Sequence, residues 1–115
     1  MANTFKTETN SGIGTSPVNI YTCPSSTTTT IIGMTIANIS VTSPIFVNVI
    51  LDPSNRTSGA EDVVYIVKGA PIATGGSLVP IGGDQKIVME PGDVIKVSSD
   101  TDNSVDVILS HLDID

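Results

Sequence analysis

The amino-acid sequence predicts an all-β protein: a single small antiparallel β-sandwich, jelly-roll or immunoglobulin-like, of about eight short strands with an N-terminal arm. Three observations carry that expectation. The 115 residues are 39% hydrophobic but only 3% aromatic, with no Trp. The core is therefore aliphatic, and the Val and Ile that fill the apolar runs prefer a pleated strand to a helix. The 10 Gly and 7 Pro are spread along the chain, so no helix-sized window is both well patterned and free of breakers. Turn signals recur about every 8–12 residues, the spacing of a sandwich or barrel. One domain, 1–115, is expected. A chain this long buries roughly two thirds of its unfolded surface, enough for a core without disulfides or metals.

Each element has its own justification. "TFKTETNSGIGTSP" alternates polar residues with period 2 and ends in Gly and Pro. It reads as an edge strand or as an extended arm within 1–16 that orders against a partner. If it is an arm, deleting residues 2–12 leaves the fold intact. "VNIYTCP" is a short strand stopped by Pro24. In "IIGMTIANISV" Ile32, Met34 and Ile36 are expected on one face, and Ile31, Ala37, Ile39 and Val41 on the other. Apolar groups on both faces suit a central strand. "IFVNVIL" sets Ile45, Val47, Val49 and Leu51 against Phe46, Asn48 and Ile50, and Asp52-Pro53-Ser54-Asn55 closes it. "VVYIVKG" is a further strand and "APIATGGS" its connector. Pro80 marks "LVPI" as an edge strand or a bulge. "IVMEPGDVIKVSS" reads as a hairpin: Pro91 presets φ, Gly92 accepts the positive φ of a type II turn, and Ile87 and Val88 pair near Val94 to Val97. Glu90 and Asp93 are then solvated turn carboxylates. After the loop "DTDNS", Val105, Val107 and Leu109 alternate with Asp106, Ile108 and Ser110 in the last strand.

The residues that carry chemistry are few. Net charge is −7, and the basic residues Lys6, Arg56, Lys68, Lys86 and Lys96 do not cluster. No nucleic-acid or anionic membrane partner is expected, since both need a positive patch. No run approaches the ~20 apolar residues of a membrane helix. "MANTFKTETNSG" has no apolar h-region. The sequons at Asn38 and Asn55 therefore carry no weight, and synthesis in a reducing cytoplasm is expected. Turns like Glu90-Pro91-Gly92-Asp93 occur in cupins, but a cupin metal site needs several His, and His111 is the one histidine. His111 also lacks a G-x-S-x-G nucleophile elbow and reads as a surface or interface residue of the last strand. The one cysteine, Cys23, forms no intrachain disulfide and reads as a small buried hydrophobe. Asp100, Asp102 and Asp106 form an oxygen-rich stretch that is a weak calcium candidate, without the central Gly and distal Glu of an EF-hand. "ATGGS" and "IGGDQK" lack Walker spacing. No catalytic residue and no cofactor are expected, which leaves a binding or assembly module.

Two longer patterns sharpen that reading. "YIVKGAPIATGGSLVPIGGDQKIVMEPGDVIKVSSD" leads a strand ending in K-x-A-P-I and G-G-S-L into a P-G-D-x-I-x-V-x-S hairpin. With "IIGMTIANIS", "IFVNVILD" and "SVDVILSHLDI", it resembles small all-β virion structural proteins of tailed bacteriophages, marine and cyanophage types especially. The resemblance covers most of the chain from about residue 30. It implies a virion component without catalytic residues. A capsid decoration or cement protein on the outer shell is favoured, binding the major capsid protein as a homo-oligomer, a trimer in that role. The alternative is a neck, tail-completion or tail-associated ring protein. A carbohydrate-binding module is disfavoured, because the aromatics are only Phe5, Phe46, Tyr21 and Tyr65. Phe5, Lys6, the loop at Arg56, and Lys68 are the expected partner contacts.

Overall fold

The computed structural model describes residues 2–115. Its nine strands are β1 (Asn3–Ile13), β2 (Val18–Thr22), β3 (Thr28–Asn38), β4 (Ile45–Asp52), β5 (Val64–Ile72), β6 (Ser77–Ile81), β7 (Ile87–Met89), β8 (Val94–Ser99) and β9 (Val105–Ile114). The described residues contain no helix. The strand pairing is that of one long hairpin: β4 with β5, β3 with β6 and β7, β2 with β8, β1 with β9, all antiparallel. Rolling that hairpin sets β9 also against β3 and β8 also against β4. Two sheets result, ordered β1-β9-β3-β6 with β7 beside β3, and β2-β8-β4-β5. This is the strand order of a jelly roll. The immunoglobulin alternative groups its strands differently and does not apply.

Side-chain alternation explains the core. β4 and β9 follow the expected pattern: Ile45, Val47, Val49, Val105, Val107 and Leu109 are buried between the sheets. In β3 strict alternation fails. A bulge between Ile31 and Gly33 shifts the register against β9, and an extra residue flips every later side chain to the other face. Ile31, Met34 and Ile36 therefore all point inward, where the sequence expectation put Ile31 opposite the other two. Pro80 lies at both an edge and a bulge. Between Met34–Ile81 and Ile36–Leu78 the β3–β6 register slips by one, which turns Val79 outward.

Two connections differ from expectation. β5 continues through "GAPI", and Ile72 pairs with Ile45 and is buried. Pro71 is tolerated there because β5 is a sheet edge, where a missing N–H costs no ladder bond. More consequentially, "IVMEPGDVIKVSS" is not a hairpin. β7 pairs with β3 in one sheet, and β8 pairs with β2 and β4 in the other. The turn carries the chain across the sandwich. Its local chemistry is as expected, with Gly92 at φ +94° and the Asp93 N–H donating to the Glu90 carbonyl at 3.0 Å. The "DTDNS" loop likewise crosses from one sheet to the other, from β8 to β9.

Candidate functional site

Three places gather functional side chains: a buried polar cluster, a buried ion pair at the crossing turn, and the outer face of the β1 sheet.

The polar cluster closes one end of the core. β9 alternation, which buries Val105, Val107 and Leu109, also points His111 and Asp113 inward. β3 sends in Thr29, and Tyr21 of β2 covers them from the opposite sheet. His111 is fully buried, not the surface or interface residue expected. Its Nδ1 lies 2.8 Å from Asp113 Oδ1 and its Nε2 lies 2.9 Å from Glu8 Oε2. A neutral imidazole has one N–H and can donate to only one of these carboxylates. Both contacts are hydrogen bonds only if the ring is an imidazolium or one carboxyl holds a proton. The Tyr21 ring packs 4.0 Å from the imidazole, centroid to centroid, and its hydroxyl donates to Asp113 Oδ2 at 2.8 Å. Thr29 Oγ1 donates to Asp113 Oδ1 at 2.8 Å and touches Cys23 Sγ at 3.4 Å.

These contacts set the acidities. Burial opposes the Asp113 charge, but hydrogen bonds from Thr29, Tyr21 and His111 together hold its carboxyl below the usual range. Burial, then the bond to Asp113, pushes the Tyr21 hydroxyl up, and burial pushes up the Cys23 thiol. Cys23 is thus a neutral, buried thiol, and Thr29 and Asp113 stand between it and His111. Among the described residues every buried side-chain nitrogen and oxygen has a partner. The cluster ties β1, β2, β3 and β9 together.

At the crossing turn, Arg56 reaches in from the 53–62 loop. Its Nε and Nη2 donate to Asp93 Oδ1 and Oδ2 at 2.9 and 2.8 Å, and Nη1 pairs with Glu90 Oε2 at 3.0 Å. Asp93 is wholly buried, and its Oδ2 also accepts the Glu90 N–H at 3.0 Å. Asp93, expected to be solvated, is thus half of a lock, whereas the Glu90 side chain stays 44% exposed, and Arg56 is held against the turn. The signal was present in the Pro-Gly-Asp order, since Asp just after a turn can bond back to its backbone. No local pattern pointed to Arg56.

The calcium candidates do not converge. Asp100 Oδ1 accepts the Phe46 N–H at 3.1 Å, Asp102 Oδ1 accepts from Thr15 Oγ1 at 3.4 Å, and Asp106 Oδ1 accepts the Gly12 N–H at 3.0 Å. Each fastens a different segment. Among the described residues no group of three His, Cys, Asp or Glu is placed to hold a metal ion. Of the expected contact residues, Lys68 lies over the Tyr65 ring at 5.0 Å, whereas Phe5 and Lys6 stand exposed on β1.

The outer face of the β1 sheet carries apolar side chains in solvent. Cross-strand pairing sets Phe5, Leu112, Thr30 and Val88 in one row and Thr9, Ile108 and Thr35 in another. Phe5 is 73% exposed, and Val79, Val88 and Ile108 are between 46% and 59% exposed. Two shallow grooves of about 330 and 390 Å³ share Thr35 and Ile108 on this face. Scattered exposed apolar groups are ordinary, and Thr9, Thr30 and Thr35 separate these; what marks the face as a candidate contact surface is that Val79 and Ile108 line its grooves.

No family model matches the chain, and no curated protein matches it. A solved structure of Bacillus endospore appendages, described as a novel family of disulfide-linked pili, is similar in fold. It matches at a TM-score of 0.51 and 12% identity, over 97% of this chain and 85% of its own. At that identity the likeness concerns the fold alone.

Proposed function

We propose that this chain is a non-enzymatic structural subunit of a larger particle, a capsid decoration protein of a tailed phage that binds the major capsid shell. The observation that carries the assembly reading is the outer face of the β1 sheet, where Phe5, Val79, Val88 and Ile108 are exposed beside two grooves. The virion assignment rests on the resemblance of the "KGAPI", "GGSL" and "EPGDVIKVSS" segments to phage structural proteins. An acidic surface of net charge −7 suits the outside of a DNA container, since it repels nucleic acid.

A second reading is a subunit that polymerises with itself, as in the pili of similar fold. Cys23 speaks against a disulfide-linked version. It is the one cysteine, 2% exposed, with its sulfur against the Thr27 and Met89 carbonyls.

Counting the chain in purified particles tests the proposal. Hundreds of copies per particle are expected for a shell component. About six or twelve would place it in a neck or tail ring, and absence from particles would refute the virion reading. Ile108→Glu adds a charge to an exposed position, so its thermal transition should stay within about 2 °C while particle occupancy falls at least tenfold. Unchanged occupancy would remove this face from the contact.

A further inference from the structure

The four sheet edges are not equally protected. β5 carries Pro71, and β6 carries Pro80. β2 spans 5 residues and has a register break, and β7 spans 3. Proline, bulges, short length and inward-pointing charges are devices that stop an edge from pairing with another chain. Over Asn3–Asn10 β1 has none of the first three, and its inward-facing charges, Lys6 and Glu8, are of opposite sign, so they oppose other registers but not one that sets them facing each other. It is an 11-residue edge strand, and its pairing with β9 is regular until the shift between Asn10 and Ile13.

The β1 sequence is complementary to itself. Lys6 and Glu8 share the inward face, opposite His111 and Leu109 of β9. Phe5, Thr7 and Thr9 share the outer face. In an antiparallel pair of two β1 strands centred on Thr7, Lys6 falls opposite Glu8 of the second copy, and Glu8 opposite its Lys6. Both ion pairs form at once, because a two-fold contact repeats each interaction. Among the described residues Lys6 has no salt bridge, and Glu8 uses only Oε2, on His111. On the outer face the same register sets Phe5 of the second copy opposite Thr9. Thr9 begins the row Thr9, Ile108, Thr35 and lines the groove of about 330 Å³ with Ala37 and Asp106. The most exposed aromatic ring of the chain thus arrives at the mouth of that groove. Slipping the register by one residue would end both matches, since it sends Lys6 against Thr7 or Thr9 on the opposite face.

We infer that β1 is a homodimerisation edge: two copies pair antiparallel through β1 about Thr7, joining their β1 sheets into one continuous sheet. The contact stands on the edge geometry and charge order, independently of which particle the chain serves.

Cysteine scanning reads the register directly. Facing residues of an antiparallel pair lie about 4.5–5.5 Å apart between Cα atoms, within disulfide range. In the full chain treated with oxidised glutathione, Thr7→Cys should form a covalent dimer at least tenfold faster than Thr9→Cys, which faces Phe5. Native Cys23 is buried and contributes no background. Equal rates, or no cross-link at either position, would overturn the register. Sedimentation equilibrium supplies the second readout. The unmodified protein should dimerise, Lys6→Arg should keep the dimer, and Lys6→Glu should weaken it about tenfold by setting like charges opposite one another twice. A monomer at all concentrations, or a trimer, would refute the contact. A monomer that still occupies particles would end this inference and leave the shell proposal standing.

Discussion

Gly92 shows how one residue joins distant parts of the fold. Its φ of +94° is the conformation expected for the third residue of a Glu-Pro-Gly-Asp turn. Position adds a second requirement. A Cβ at Gly92 would lie 2.1 Å from the Asn55 carbonyl oxygen and 2.8 Å from its carbon. The backbone of the 53–62 loop presses on the turn so closely because the Thr57 N–H donates to the Pro91 carbonyl at 2.9 Å while Arg56 grips Asp93. Gly92→Ala therefore combines left-handed strain with a backbone clash and should cost about 3 kcal/mol. Urea unfolding measures this, and a loss under about 1 kcal/mol would mean that the loop yields without cost. Asn38 plays a comparable part elsewhere. Its amide donates to the carbonyls of Ser43 and Ile72 at 3.1 Å, which ties the end of β3 to the segment before β4 and to the end of β5.

At the scale of elements, β1 is integral to the fold. It is hydrogen-bonded along β9 from Asn3 to Asn10 and brings Glu8 to the buried His111. The arm expectation implied that residues 2–12 could be removed without harm. The structure predicts otherwise: their deletion bares β9 and leaves His111 with one carboxylate partner. Leaving a buried polar group short of a hydrogen-bond partner costs about 1–3 kcal/mol, and the lost ladder adds to it. The thermal transition of the deletion variant should fall by at least ~10 °C. An unchanged transition would show that β1 contributes nothing to stability. For the same reason, β1 contacts are better tested by point substitutions such as Lys6→Glu than by deletion.

At the scale of the molecule, acid stability follows from two carboxylates held in charged form. Asp113 lies below the ordinary range despite its burial. Asp52 lies at about 2, held by hydrogen bonds from Ser54 and Lys96. The unfolded chain protonates these groups first, near the usual carboxylate value of about 4. Their contribution to stability is complete above that value and disappears as pH falls from about 4 towards 2. Urea midpoints should drop across that window. Asp113→Asn should flatten the slope, and an equal slope in the variant would assign the acid limb to other carboxylates. The net charge of −7 at neutral pH keeps copies apart at long range. Any contact between them must then rest on local complementarity, as β1 supplies at Lys6 and Glu8.

The sequence by itself determined the strand content, the alternation of β4 and β9, the placing of Pro80 at an edge or a bulge and the positive φ of Gly92. These are local properties: alternation, β-branching and turn sterics act within a few residues. It does not reveal the β3 bulge, because one extra residue leaves no mark in hydrophobic order, and strict alternation therefore sets Ile31 on the wrong face. It read β7 and β8 as a hairpin, because a turn motif specifies how the chain bends and not which sheet each arm joins. Only the tertiary structure decided that, by pairing β7 with β3 and β8 with β4. The same holds for Arg56 with Asp93, 37 residues apart, and His111 with Glu8, 103 residues apart. Those pairs form because rolling the long hairpin into a jelly roll brings distant strands within hydrogen-bond reach, and the buried Asp93 and His111 must find polar partners there.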